Sequence, residues 1–393
     1  LENALVNVKK CSANTPWLPR NVDQKCNASL KTRLRNATNV YFPVKMSALS
    51  IPPWSDRIYK KLEGYYDVIN LNQTVAKQVI ENLIQPDFPE LSFEDISFAF
   101  NKLKESKENK GKKNQCDIYY DEYLVLTRKQ SNDIEYSAEF VNIPIKYESI
   151  IKKVAAIDRL TEVVAMLGFT RLKSWSGDIY DKKIAPLSLK EKNWLPAVQL
   201  NGEGIFIEFD IDKLEKWSHS VTGYYLPMMQ KLKQSFLFNE RFSPQYVLLH
   251  TFAHLLIRQL SIECGYSVAS LKEKIYSTFP GNKNDSQMAG VLIYTAAPDS
   301  DGSLGGLVEQ SDPLKLGYVI DKMLETARWC SSDPLCINSF GENGQGFESL
   351  NYAACHSCAL LPETSCEFRN LLLDRGALIG RPDSIDLGIF NNI

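Results

Sequence analysis

The chain has 393 residues, 44% hydrophobic and 23% charged, with a formal net charge of −2. That length exceeds one small core and the apolar content suffices to fold without staples, so two or three domains are expected. A run of about 18 apolar residues is missing, which argues against a membrane span, and no charged-then-apolar leader opens the chain. The near-zero charge leaves any nucleic-acid contact to a local patch. A cytoplasmic protein without membrane association is expected.

The chain opens on Leu1 in place of Met, which reads as a fragment or a chain lacking its early part. Residues 1–54 are predicted to be extended and loop-rich, with Pro43, Pro52 and Pro53. The run Asn39–Ser50 has strand composition interrupted by Pro43. From Ser55 the pattern turns helical, with Ile58, Leu62, Tyr65, Tyr66 and Ile69 at helical spacing. The run Lys102, Lys104, Lys107, Lys110, Lys112 and Lys113 reads as a flexible solvated loop near 101–115, or as a basic flap on phosphate. Residues 148–167 predict an amphipathic helix with Ile150, Val154, Ile157, Leu160, Val164 and Leu167 on one face, capped by Gly168.

Gly202-Glu203-Gly204 leads into a strand at Ile205–Phe209, and a helix follows at about 221–236. Pro244–Cys264 is apolar almost all round, which describes a buried central helix that Gly265 ends. Ser270–Ser277 is read as a shorter helix and Val291–Thr295 as a buried strand. A turn-rich loop follows at Ala297–Gly306. Ser311-Asp312-Pro313 opens a last helix that runs towards Trp329 and Cys330. The fold class is α+β: mixed and multi-domain, mainly helical with small sheets. The divisions are 1–54, a mixed middle domain at 55–235, and a C-terminal domain at 236–393.

Nine cysteines, an odd number with five crowded into 330–366, fit metal ligation in a reducing compartment better than a disulfide framework. Cys330-x5-Cys336 is followed after eighteen residues by Cys355-x2-Cys358, with Cys366 after seven more. A Cys-x2-Cys knuckle brings two thiolates to one tetrahedral Zn2+ with little strain, and a second pair closes the shell. Four thiolates leave no open position, so the site would be structural. Cys366 or His356 could replace one ligand, and buried reduced cysteines are the alternative. Cys11 and Cys26 either bind a second ion with ligands from upstream of Leu1 or are free thiols.

His250 and His254 stand at i and i+4 with Arg258 one turn on, a polar stripe on the buried helix. The sequence His-Thr-Phe-Ala-His lacks the zincin glutamate, which disfavours a catalytic zinc. The expected reading is a hydrogen-bonded network with Asp299 and Asp301; the alternative is a hydrolase or nuclease built on these five residues. The loop from Pro298 to Leu307 has no Lys-Ser/Thr and is not a phosphate-binding Walker motif, so no ATPase equipment is found.

Three runs then carry a resemblance: LHTFAHLLIRQLSIECGYSVASLKEKIYS, GVLIYTAAPDSDGSLGGL and CHSCALLPETSCEFRNLLLDRGALIG. They resemble the DrmB family of the DISARM antiphage systems, which carries an MrfA-type zinc-binding (MZB) module. NATNVYFPVKMSALSIPPW, RLTEVVAMLGFTRL and NGEGIFIEFD extend the resemblance over nearly the whole chain. It implies that 236–393 is a zinc-stabilised MZB module and that 1–54 is the remnant of an N-terminal zinc ribbon plus a connector. Family members are longer at the N-terminus, where a Cys-x2-Cys knuckle would precede Cys11 and Cys26. The resemblance further implies a non-catalytic subunit of a hetero-oligomer, partnering a DrmA-like superfamily 2 helicase and engaging phage DNA through that complex.

Overall fold

The computed structural model describes residues 17–18, 41–51, 56–89, 91–108, 115–128, 131–132, 135–171, 182–188, 190, 192, 194–235, 242–278, 287–295, 305–391 and 393. In chain order its elements are β1 (Phe42–Leu49), α1 (Asp56–Gly64), α2 (Tyr66–Ile69), α3 (Gln73–Val79), α4 (Phe93–Glu108) and α5 (Gln115–Arg128). Then come β2 (Ser131–Asn132), β3 (Tyr136–Val141), β4 (Ile151–Thr170), β5 (Ala185–Pro186), β6 (Ala197–Phe209), α6 (Ile211–Ser220) and α7 (Thr222–Gln234). The remainder is α8 (Pro244–Cys264), β7 (Leu271–Ser277), β8 (Ala289–Thr295), α9 (Pro313–Ala327) and α10 (Gly376–Ile379). Helix and sheet are mixed, and the class is α+β. No described helix is long and apolar enough to cross a membrane.

Two compact units are present. One comprises Leu1–Ala48, Val163–Gln199 and Ser235–Asn239; the other comprises Leu49–Glu162, Leu200–Gln234 and Glu240–Ile393. They interleave along the chain. In the smaller unit the C-terminal end of β4 pairs antiparallel with β5, Gly168 opposite Pro186 and Phe169 opposite Ala185.

Eight described strands form one sheet, six of them along the path β2-β3-β4-β6-β8-β7, with β1 and β5 each paired to β4 off that path. The sheet corrects two expected helices. The stretch predicted as a helix over 148–167 is β4, paired with β3 from Val141 opposite Val154 to Tyr136 opposite Leu160 across a bulge at Ser137/Ala138. Val154, Ala155, Ala156 and Ile157 are consecutive and all buried, as in a strand covered on both faces. The continuous apolar run Val154–Ile157 satisfies a helical template by accident, while the β-branched side chains prefer the pleated surface. The second correction is Ser270–Ser277, where β7 pairs antiparallel with β8 from Leu271 opposite Thr295 to Ser277 opposite Ala289.

The Lys-rich run is corrected as well. Lys102, Lys104 and Lys107 ride on α4, whose Ile96, Ala99 and Phe100 enter a core with Ile58, Leu62, Ile80 and Ile84. Lys107 pairs with Glu63 at 3.1 Å and lies 4.3 Å above the Tyr66 ring. Lys110, Lys112 and Lys113 lie outside the described residues.

The central helix is as expected. Ser243 caps α8 by accepting from the Tyr246 amide, Pro244 occupies its first turn, and Gly265 closes it with φ 72°. Residues from Gln245 to Ile257 are all buried, and the helix packs on β7, β8 and α9. Asp312 caps α9 through the amides of Leu314 and Lys315, which delivers the chain to Cys330. Beyond α9 the chain runs mainly in turns and 3-10 segments.

Candidate metal centres

Cys330, Cys336, Cys355 and Cys358 come together, with ligand atoms within 4.8 Å of one another. The sulfur separations are 3.5 Å for Cys330–Cys355, 3.8 Å for Cys336–Cys358 and 3.7 Å for Cys355–Cys358. A tetrahedron with Zn–S bonds of about 2.3 Å has sulfur–sulfur edges of about 3.8 Å, so the donor set fits zinc.

The surroundings suit thiolates. Cys336 accepts from Gln345 Nε2 at 3.4 Å, Cys330 from the Ser332 amide at 3.4 Å, and Cys358 from the Cys355 amide at 3.2 Å. Hydrogen bonding from Cys358 leads the causes that draw the Cys336 thiol down to about 5, helped by Gln345 and by the charge of Arg375. The reciprocal bond to Cys336 holds Cys358 up.

Arg375 was not singled out from the sequence. It is 0% exposed, donates to the Ala327 carbonyl at 2.8 Å, and ion-pairs with Asp333. Asp333 in turn accepts from the amides of Cys330 at 2.9 Å and Ile337 at 3.0 Å. The loop bearing the first two cysteines is thus anchored to a buried cation. Only a salt-bridge partner forty-two residues away in sequence reveals such a role, and no local motif announces it.

Cys366 does not join the four cysteines, and His356 is exposed outside them. Cys366 belongs instead with His250, His254 and Glu273, again with ligand atoms within 4.8 Å of one another. His250 Nε2 lies 3.0 Å from Glu273 Oε1 and 3.3 Å from Cys366 Sγ. His254 Nε2 lies 3.3 Å from the same carboxylate oxygen. The side chains of His250, His254 and Glu273 are all 0% exposed. Burial pushes the Glu273 carboxyl up, but His254 and His250 outweigh it and hold it down at about 2. Burial likewise opposes charge on His254, yet Glu273 and Cys366 raise it to about 10.

The polar stripe on α8 therefore exists, with partners other than those expected. His254 Nδ1 donates to the Ala359 carbonyl at 2.9 Å. Arg258 donates to the carbonyls of Leu360 at 3.3 Å and Ser357 at 2.9 Å. Asp299, Asp301, Cys11 and Cys26 lie outside the described residues. Glu273 was missed because β7 was read as a helix. Recognised as a strand, the alternation Leu271, Glu273, Ile275 would have put a carboxylate on an apolar row, a signal that it is paired.

The model of the MrfA Zn-binding domain (MZB) matches residues 252–359, a span that holds His254, Glu273 and the four cysteines. Among solved structures, the DUF1998 helicase MrfA bound to DNA aligns over 51% of this chain and 22% of its own, at 12% identity and a TM-score of 0.25. The DISARM protein DrmB of Bacillus paralicheniformis is 34% identical over 398 residues, which span 95% of this chain and 68% of that protein. Identity of that depth over that length means that the chain belongs to the DrmB family.

Proposed function

We propose that the chain is a non-catalytic zinc-binding subunit that partners a DrmA-like superfamily 2 helicase in the cytoplasm and helps it engage phage DNA in bacterial antiviral defence. The observation that carries this reading is membership of the DrmB family, whose relative is a DISARM protein, together with an MZB match over a closed four-cysteine set. Cys330, Cys336, Cys355 and Cys358 would hold Zn2+, and four thiolates leave no position for water, so the ion shapes the module. The hydrolase or nuclease reading has less in its favour: His250 and His254 are fully buried and packed against Glu273 and Cys366.

The test is co-expression with the helicase followed by DNA titration. The pair should co-purify and bind DNA more tightly than the helicase alone. If 6–10 phosphates are contacted, affinity should fall about 10³–10⁵-fold between 50 and 200 mM salt. Failure to co-purify would refute the partnership. A pair that binds DNA no better than the helicase would refute the DNA-engaging role.

A further inference from the structure

The second buried cluster has features that a hydrogen-bonded network does not explain. His254 Nδ1 faces a carbonyl, which can only accept, so that nitrogen carries a proton in either charge state, and in the neutral ring that a metal requires Nε2 presents its lone pair inward. Inward lie Glu273 Oε1, at 3.3 Å, and the Cys366 sulfur, both electron-rich. His254 Nε2 makes no hydrogen bond despite that distance, and Glu273 Oε2 is a second buried atom without one. Burying such atoms without a partner is costly unless something else satisfies them. His250 Nε2 has both Glu273 Oε1 and Cys366 Sγ within reach but at most one proton to give, so the donor atoms gathered here outnumber the hydrogen bonds they can make and are arranged as ligands around a shared centre.

The support around the donors is that of a metal site. The carbonyl of Ala359 fixes the His254 tautomer, as the outer partner of a ligating imidazole does. Cys366 Sγ accepts from the amides of Phe368 at 3.3 Å and Asn370 at 3.1 Å, which favours the thiolate. Glu273 Oε1 accepts from the Glu367 amide at 3.0 Å, so the carboxylate and the cysteine are positioned by the same short stretch of chain. The separations of 3.0 and 3.3 Å lie close to the edges of about 3.3–3.6 Å expected of a tetrahedron of nitrogen, oxygen and sulfur around zinc.

We propose that His250, His254, Glu273 and Cys366 form a second metal site, for a divalent first-row transition ion with zinc the best match. Two imidazoles, a thiolate and a carboxylate suit Zn2+ in particular. With four protein ligands the site is structural. It closes over a different part of the chain from the four-cysteine centre: α8 and β7 are joined to the segment that follows Cys358. The inference is independent of which ion the four cysteines hold.

The test is metal content with X-ray absorption on protein purified without added metal and then offered zinc. Two ions per chain are expected, with an average shell of about 2.5 sulfur and 1.5 nitrogen or oxygen ligands per ion, assuming two four-coordinate sites. Cys366→Ser and His254→Gln should each hold one ion with an all-sulfur shell. Cys358→Ser should keep one ion with a mixed shell, so failure of the four-cysteine reading is separable from failure of this one. A wild-type protein with an all-sulfur shell overturns the proposal even where the variants do not fold. So does a second ion that survives Cys366→Ser but is lost on Cys11→Ser or Cys26→Ser.

Discussion

Arg375→Met should loosen the four-cysteine centre without touching any ligand. The guanidinium is wholly buried and binds the Ala327 carbonyl and Asp333, and Asp333 holds the amides of Cys330 and Ile337. Zn2+ with four thiolates carries a formal charge of about −2, and Arg375 acts electrostatically on Cys336 and Cys358. Losing an outer-shell group of this kind costs about 10–100-fold in metal affinity, or about 1.4–2.7 kcal/mol. A fully buried pair broken at one partner costs about 3–5 kcal/mol of folding stability; the Asp333 side chain keeps 20% exposure, which lowers the expectation to about 2–3 kcal/mol. The assay is competition between zinc-loaded protein and a chromophoric chelator at equilibrium, with a thermal melt in parallel. Asp333→Asn should give a similar loss, and the double variant less than the sum, because both changes break one connection. A chelator midpoint for Arg375→Met within about twofold of wild type would refute the reasoning.

Other outcomes follow from the same geometry. Lys274 and Glu122 are both 3% exposed and pair at 2.6 Å, and Glu122 also accepts from Tyr276 at 3.0 Å and from the Leu49 amide at 2.9 Å. Lys274→Met should cost about 3–5 kcal/mol in urea unfolding, with Glu122→Gln in the same chain recovering most of it; an unchanged midpoint would sink this account. Gly202→Ala would drive a Cβ into the backbone carbonyl of Thr295 where β6 meets β8, and should cost about 3 kcal/mol or more in a thermal melt. Gly64→Ala, with nothing within 4 Å of the new atom, should stay within about 1 kcal/mol of wild type in the same melt. Chelation should expose 330–375 to limited proteolysis before the sheet, because turns there depend on metal for order; cleavage beginning in the sheet would argue the reverse.

The parts legible in the sequence are those whose chemistry is local. The spacing Cys355-x2-Cys358 is itself the geometry of a knuckle, and Ser243-Pro244 with Gly265 marks both ends of α8. The Asp312-Pro313 start of α9 is equally self-contained. What escaped depends on partners distant in the chain. In β4 every residue from Val154 to Ile157 is buried because the sheet is covered on both faces, so the period that separates strand from helix is absent. In β7 the polar run Lys272-Glu273-Lys274 interrupts any apolar alternation over Leu271–Ser277, and seven residues beside a long helix read as its continuation. On α4, charges at Lys102, Lys104 and Lys107 hid the apolar row of Ile96, Ala99 and Phe100. The histidine stripe was seen and its partners were not, since Glu273 and Cys366 reach it from other elements.

Those partners explain why the largely buried helix keeps the polar stripe of His250, His254 and Arg258. His254 and Arg258 hold the carbonyls of Ser357, Ala359 and Leu360, which flank Cys358, while His250 meets Cys366. The stripe thus grips the stretch between the two ligand clusters at both ends. Buried polar groups contribute little net stability when fully paired but penalise any misplacement heavily, so they act as a register device. An apolar stripe could have buried the same area, yet it would let the knuckle slide along α8, because apolar packing is not directional. Two histidines and an arginine instead admit one placement of 357–366 on the helix. The four-cysteine centre is then held from one side by Arg375 and Asp333, through the loop of Cys330 and Cys336, and from the other by α8. A ligand set built this way transmits a disturbance at either cluster to the other, since the seven residues from Ala359 to Ser365 that join them have few backbone ladders of their own.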